Sequence, residues 1–219
     1  MVEHFNNGFE ESDFSAWTGT VGAPAVVNTS NPHHGTYHEE VDTNNKEYCH
    51  VTFTEDQTVY VRLEFKWDGS DPGNWQNVWS FLTLLKTATN IVIIGLLRAG
   101  TGVWQIRFTT FLPGQVDQYH TFAFSVDTYY CLELYFLRNV AGAYYLYLDG
   151  VEILSRVGVD TTAVSGADVL RVGATVSRVA GTGWIDCVVV ADARIYCESD
   201  VSIPVMMHHY NRIYKKIRG

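Results

Sequence analysis

The sequence predicts an all-β domain of two packed sheets, a jelly-roll β-sandwich that ends in a short C-terminal arm or helix. Aromatic residues are abundant, with 13 Tyr, 11 Phe and 6 Trp, and only 18% of the residues are charged. This composition favours pleated, half-buried strands over helices. Segments of period-two alternation recur along the chain with turn residues between them, as expected for a β protein. At 219 residues the chain can bury a core without disulfides or metal.

The clearest alternating segment covers residues 59–67. One face carries Val59, Val61, Leu63, Phe65 and Trp67, and the other carries Tyr60, Arg62, Glu64 and Lys66. This pattern predicts a strand with one buried and one solvated face. Asp, Gly and Pro punctuate residues 68–74 as a loop. Further strands of this half are expected over residues 77–85, 91–98 and 103–111.

The second half continues in the same style, with strands expected over residues 130–138, 144–148, 151–154, 169–174 and 184–195. Asp149 and Gly150 separate two of these strands and predict a tight hairpin, because both residues accept positive φ. The total is about a dozen strands and no internal helix. Two packed sheets follow, because one sheet of this length would leave an apolar face uncovered.

The C-terminal segment differs from the rest of the chain, so we divide the sequence into a sandwich over residues 1–200 and an arm over residues 201–219. Residues 204–217 lack alternation, and Pro204 could begin a helix. The predicted assembly residues of the arm are Met206, Met207, Tyr210, Ile213, Tyr214 and Ile217. Four cations accompany them. The arm is expected either to pack on its own domain or to dock on the acidic body of a neighbouring copy.

Charge and hydropathy exclude several partners. The formal net charge is −9 although Arg212, Lys215, Lys216 and Arg218 crowd the end of the chain. The acidic body therefore argues against non-specific nucleic-acid binding. The longest apolar run, residues 91–97, is too short to span a bilayer, so no membrane partner is expected. The first residues lack a signal-peptide pattern, which predicts cytoplasmic synthesis.

The four cysteines are Cys49, Cys131, Cys187 and Cys197. Their spacing contains no Cys-x-x-Cys pair, so a metal site is not expected. We expect reduced, buried thiols, and the alternative is a disulfide such as Cys187–Cys197.

Three stretches resemble the concanavalin A-like lectin/glucanase superfamily and its carbohydrate-binding relatives. The first is FEESDFSAWT over residues 9–18, followed by HGTY over residues 34–37. The second is the hairpin that starts at Glu133 and ends in YLYLDGVEI, residues 145–153. The third joins LRVG at residues 170–173 to WIDCVVVAD at residues 184–192. The resemblance covers residues 5 to about 196 and is specific for the fold, not for a ligand.

The resemblance implies a structural calcium ion that ties the first strand to the last through Glu10 and Asp186. Cys187 stands where the family has a second acid, and calcium requires six to eight oxygen ligands. The alternative is that Glu10 accepts backbone hydrogen bonds and Asp186 orients a turn. No other cofactor is expected.

A catalytic role is not expected. Glycoside hydrolysis needs two carboxylates that face one cleft. The Glu-x-Asp-x-x-Glu strand of the superfamily's glucanases does not occur in this chain, and the adjacent acids Glu39 and Glu40 must point to opposite faces. A glycoside hydrolase or polysaccharide lyase is therefore the least favoured function.

Two functions remain. The first is a structural or assembly protein of a large complex, such as a decoration, capsid or tail component of a phage or virus particle. It would self-associate through its arm or bind other virion proteins. The second is a lectin-like module that binds a glycan through an exposed Trp75, with Asn74, Gln76 and Trp79 beside it. A core position is the alternative for each tryptophan.

Overall fold

The computed structural model describes residues 2–28, 31–70, 78–99, 102–176 and 181–197. These residues form fifteen strands and no helix, so none of them belongs to a helix that could cross a membrane. The strands are β1 (Glu3–Asn7), β2 (Gly19–Val21), β3 (Ala25–Val27), β4 (His38–Asp42), β5 (Glu47–Asp56), β6 (Thr58–Trp67), β7 (Trp79–Lys86), β8 (Thr89–Arg98), β9 (Trp104–Thr110), β10 (Val116–Thr121), β11 (Tyr130–Leu137), β12 (Gly142–Leu148), β13 (Val151–Val159), β14 (Ala167–Val176) and β15 (Thr182–Ala191).

The strands build two antiparallel sheets, as the alternation predicted. The eight-stranded sheet has the order β13-β12-β11-β6-β15-β4-β3, and β1 pairs with β15. The seven-stranded sheet has the order β10-β9-β8-β7-β14-β5-β2. Their inner faces pack together and share one hydrophobic core.

Strand β6 confirms the inner face predicted for residues 59–67, since the five apolar side chains of that face are all buried. The prediction of a solvated outer face is wrong for Glu64 and Lys66, which are also buried. Neighbouring segments cover Lys66. Its Nζ atom donates to the carbonyl of Asn31 at 3.4 Å and lies 4.7 Å from the ring centroids of Tyr129 and Trp184.

The hairpin between β12 and β13 is confirmed. Asp149 and Gly150 form its turn with φ values of 50° and 78°. Asp and Gly both tolerate this left-handed conformation.

The expectation of four reduced cysteines is wrong for two of them. Cys131 and Cys197 form a disulfide with a Cα–Cα distance of 5.8 Å, while Cys49 is free and buried and Cys187 is free and partly exposed. The alternative Cys187–Cys197 pairing is wrong as well. Cys131 lies on the outer face of β11, and the chain that follows β15 folds back across this face, which brings Cys197 to it.

A candidate binding face on the seven-stranded sheet

One row of residues crosses the outer face of the seven-stranded sheet, with one residue from every strand. In the strand register the row is Gly19, His50, Arg171, Thr83, Ile93, Thr109 and Asp117. The alternation of side chains places the row opposite the core, to which the neighbouring residues Leu170, Val172 and Phe108 belong. At about 4.8 Å per strand, the part from His50 to Thr109 spans about 19 Å.

A groove of about 170 Å³ lies on this face. Its lining combines apolar with hydrogen-bonding side chains: Val78, Ile93, Phe111 and Val176 with Ser80, Arg107, Thr109 and Gln115. Gly95 lies between them. A Cβ atom at this position would lie 2.3 Å from Val78 Cγ1 and 2.7 Å from the carbonyl oxygen of Trp79. Glycine is therefore needed for Val78 to approach β8 as closely as it does.

Arg107 is held in place in the groove by Asp117. Its Nη2 atom donates to Asp117 Oδ2 at 2.9 Å, and the Thr109 hydroxyl donates to Asp117 Oδ1 at 2.7 Å. Burial would raise the pKa of Asp117, but these two hydrogen bonds, the charge of Arg107 and a hydrogen bond from Gln115 together hold the pKa below its usual range. The Nε atom of Arg107 is buried and has no hydrogen-bond partner among the described residues. The groove thus contains a fixed guanidinium group with unused donor capacity.

A basic and aromatic cluster lies at the other end of the row. The Tyr48 ring has Lys46 Nζ at 5.6 Å and Arg171 Cζ at 5.4 Å from its centroid. The His50 ring centroid lies 6.4 Å from that of Tyr48. Burial and the charge of Arg171 both lower the pKa of His50. The cluster therefore carries two full positive charges around one aromatic ring.

The predicted glycan-binding residues have different outcomes. Trp79 is fully buried on the inner face of β7, where it packs against Trp67 and Phe81 with ring centroids 5.0 and 5.1 Å away. Its assignment as a glycan contact is wrong, because the alternation of β7 directs it to the core. Asn74, Trp75 and Gln76 lie outside the described residues. They precede Val78 of the groove, so their participation stays a prediction. The predicted assembly residues 206–217 also lie outside the described part.

The predicted calcium ligands fasten one loop to the sandwich. Glu10 accepts hydrogen bonds from the backbone N–H groups of Thr36, at 2.9 and 3.0 Å, and Tyr37, at 3.1 Å. Asp186 accepts from the N–H groups of His34 at 3.0 Å and Cys187 at 2.7 Å. Burial raises the pKa of Asp186 to about 6, against the opposing effect of these hydrogen bonds.

These contacts are those of the alternative interpretation, in which the two acids bind backbone. All four carboxylate oxygens of Glu10 and Asp186 already accept an N–H group. Within the described ranges no three His, Cys, Asp or Glu side chains form a group that could hold a metal ion. A bound calcium ion would need backbone carbonyls as further ligands. Calcium binding stays a prediction.

The strand register also pairs two acids that are far apart in the sequence. Asp186 of β15 lies directly opposite Glu64 of β6 on the outer face of the eight-stranded sheet. Both residues are buried, with exposed fractions of 0% and 4%. Only the register could reveal this pair, because 122 residues of sequence separate Glu64 from Asp186.

The last described residues cross the outer face of the eight-stranded sheet. Arg194 Nε donates to Glu133 Oε2 at 2.7 Å, and the guanidinium carbon lies 3.8 Å from the ring centroid of Tyr147. The final strand, expected from the sequence to extend over residues 184–195, ends instead at Ala191. The ion pair and the Cys131–Cys197 disulfide hold the segment against the sheet.

Comparison with known proteins identifies the fold. No protein-family model matches the chain, and no curated protein matches it. Among solved structures, the cellulose-induced protein Cip1 is 19% identical with a TM-score of 0.64, covering 88% of this chain and 99% of that one. An endo-β-1,4-glucuronan lyase from Trichoderma reesei is 13% identical with a TM-score of 0.61, covering 88% and 96%. A carbohydrate esterase from the Shiga toxin-encoding bacteriophage phi24B is 14% identical with a TM-score of 0.61, covering 86% and 97%. The fold is the concanavalin A-like jelly roll, as the sequence resemblance predicted.

Proposed function

We propose that this domain binds a carbohydrate, without catalysis, across the outer face of its seven-stranded sheet. The observation that carries the proposal is the groove beside β8 and β9, which joins apolar walls to hydroxyl, amide and guanidinium groups. A carbohydrate site needs this combination, because it must contact C–H surface and also orient hydroxyl groups. Two structures of similar fold are by name a glucuronan lyase and a carbohydrate esterase, which also supports a carbohydrate ligand.

The groove residues have complementary chemical roles. The amide of Gln115 can donate or accept a hydrogen bond, whereas the Thr109 hydroxyl, whose proton goes to Asp117, can only accept one. Ser80 and Thr109 are nearly buried in the lining, with exposed fractions of 7% and 3%. Arg107 only donates, and its orientation is set in advance by Asp117. A ligand hydroxyl that accepts from Arg107 therefore binds without first ordering that side chain, which lowers the entropic cost of binding.

The experiment is a glycan array followed by calorimetry on the wild type and on Arg107→Gln. We expect the wild type to bind, and the variant to bind about tenfold more weakly or worse, since a hydrogen bond to a charged group contributes about 1.5–3 kcal/mol. Arg62→Gln is the matched control, because it removes the same charge from the outer face of the other sheet. Melting temperatures of both variants equal to that of the wild type would show that the fold is intact. Unchanged affinity in Arg107→Gln, or no binding by the wild type, would refute the proposal.

A second candidate is a structural role in a large assembly such as a phage or virus particle. The observation that favours it is the attachment of residues 192–197 to the eight-stranded sheet, so that the chain beyond Cys197 starts from a fixed point. Tyr196, next to that point, is 67% exposed. A disulfide is typical of proteins outside a reducing cytosol, which is consistent with a domain displayed on a particle surface. In this role the partners are further copies of the chain or other virion proteins.

A further inference from the structure

The geometry points to an anion-binding site formed by Lys46, Tyr48, His50 and Arg171, which would select carbohydrates that carry carboxylate or sulfate groups. The inference rests on the proposed function, in which the outer face of the seven-stranded sheet binds a carbohydrate. It adds the chemical class of the ligand.

The four residues form one compact cluster on two neighbouring strands. His50 of β5 and Arg171 of β14 are directly opposite each other in the strand register. Tyr48 lies two residues before His50 and therefore on the same face. Lys46 Nζ lies 5.6 Å and Arg171 Cζ 5.4 Å from the centroid of its ring, so the ring holds both cations near one position.

Among the residues that the structure describes, neither cation has an acidic partner. Within the described residues the side chains of Lys46 and Arg171 form no salt bridge and no hydrogen bond, whereas Lys86 is paired with Glu55 and Asp168. The nearest acid in sequence, Glu47, points to the other face of β5, where its carboxylate accepts the N–H group of Asp42 at 2.9 Å. In a chain with a net charge of −9, these two neighbouring cations form a local positive patch.

His50 supplies an independent observation. Its Nδ1 atom is buried and has no hydrogen-bond partner in the described part of the chain. A buried polar atom of this kind is costly unless a ligand or a water satisfies it. The positive charge of Arg171 also opposes protonation of the ring. An anion bound between His50 and Arg171 would offset the charge of Arg171. The ring of His50 could then be protonated and become a third cation.

The cluster is continuous with the groove. Arg171 lies opposite Thr83 of β7, and Thr83 lies opposite Ile93 of the groove lining, so the two sites are about 10 Å apart. The nearly buried Thr83 and Thr175 lie in this interval: the Thr83 hydroxyl donates to Thr175 Oγ1 at 3.1 Å, and the Thr175 hydroxyl donates to the carbonyl of Ser80 at 2.8 Å. An oligosaccharide that lies across the strands can therefore occupy the groove and place an acidic group on Arg171. The planar guanidinium suits a two-point contact with carboxylate or sulfate.

The test is a glycan array that contains neutral, uronate-containing and sulfated oligosaccharides, probed with the wild type, Arg171→Gln and Lys46→Gln. Calorimetry then compares a galacturonate hexasaccharide with its methyl ester, which has the same backbone without the charge. We expect binding of acidic ligands that falls about tenfold or more in both variants and is unchanged in the control Arg62→Gln. Preference for the uronates or for the sulfated sugars distinguishes the two sources of the anion.

The outcomes separate the inference from the proposed function. Neutral ligands bound as tightly as acidic ones, with affinities that Arg171→Gln and Lys46→Gln leave unchanged, would overturn the anion site and leave carbohydrate binding intact. No binding to any carbohydrate would overturn both. A readout on the unmodified protein is the NMR titration of His50, whose pKa should rise when an acidic oligosaccharide binds. An unchanged His50 pKa with bound acidic ligand would also contradict the inference.

Discussion

Glu39 is an acid inside the sandwich. Alternation along β4 correctly predicted that Glu39 and Glu40 point to opposite faces, and Glu40 accepts the indole N–H of Trp184 at 2.8 Å on the outer side. Glu39 faces the core instead, close enough to β14 that a Cβ atom on Gly173 would lie 3.1 Å from its Oε1 atom. Neither carboxylate oxygen has a hydrogen-bond partner among the described residues. Burial raises the pKa of Glu39 to about 8, and the contact with Cys49 opposes this rise only in part.

This buried acid predicts a stability that falls as the pH rises. The folded protein keeps the Glu39 proton up to about pH 8, whereas the unfolded chain loses it near the ordinary pKa of 4.5. The stabilisation from the bound proton is therefore complete below that lower value and is lost at about 1.4 kcal/mol per pH unit across the interval. Urea unfolding from about pH 5 to about pH 9 should show a shallower slope of stability against pH in Glu39→Gln than in the wild type. The exposed Glu152 provides the control, Glu152→Gln, which should keep the wild-type slope. Parallel slopes in Glu39→Gln and the wild type would show that Glu39 is not protonated in the folded protein.

At the scale of single elements, strands with a period-two pattern or a continuous apolar run were predictable, and a polar strand such as β10 was not. The inner face of β6 and the β12–β13 turn agree with the sequence because alternation and turn residues are local signals. Strand β10, with the sequence VDQYHT, has mostly polar and partly exposed residues, because it is an edge strand that pairs only with β9. Its pairing comes from β9 and not from its own hydrophobicity, so no pattern in the sequence indicated it.

The segment after β15 is attached to the eight-stranded sheet by one covalent bond in addition to the Arg194–Glu133 ion pair. The Cys131–Cys197 disulfide closes a loop with a sequence separation of 66 residues. Replacing both cysteines by Ser should lower the free energy of unfolding by about 2–5 kcal/mol, because the unfolded chain regains the freedom that the bond removes. Denaturant unfolding measures the loss, and reduction of the wild type should produce a similar one. Cys187→Ser is the control, since Cys187 is a free thiol and reduction should affect this variant as it affects the wild type. Alkylation of the unreduced, unfolded wild type at four thiols instead of two would show that the bond is absent.

At the scale of the whole molecule, the fold was predictable and the candidate site was not. Alternating residues are sufficient to predict two sheets, because the alternation within each strand indicates which of its faces is buried. The row from His50 through Arg171 and Thr83 to Thr109 crosses strands that are far apart in sequence, and only the strand order brings these residues together. The presence of a tryptophan did not indicate a glycan contact at Trp79, because the large ring fills the core as readily as it would stack on a sugar.

The assembly hypothesis makes a prediction about the oligomeric state of the protein in solution. If residues 201–219 dock on a neighbouring copy, the wild type should sediment as an oligomer of the 24.7 kDa chain, and deletion of residues 204–219 should give a monomer at the same concentration. In this arrangement the four cations of the arm are attracted electrostatically to the acidic body of the neighbouring copy. Raised salt should therefore weaken the oligomer. A full-length variant with Gln in place of Arg212, Lys215, Lys216 and Arg218 separates charge from length: it should associate as weakly as the wild type does at high salt. A monomer both with and without the arm would exclude self-assembly through this segment, while an equal oligomer in both would assign the interface to the sandwich itself.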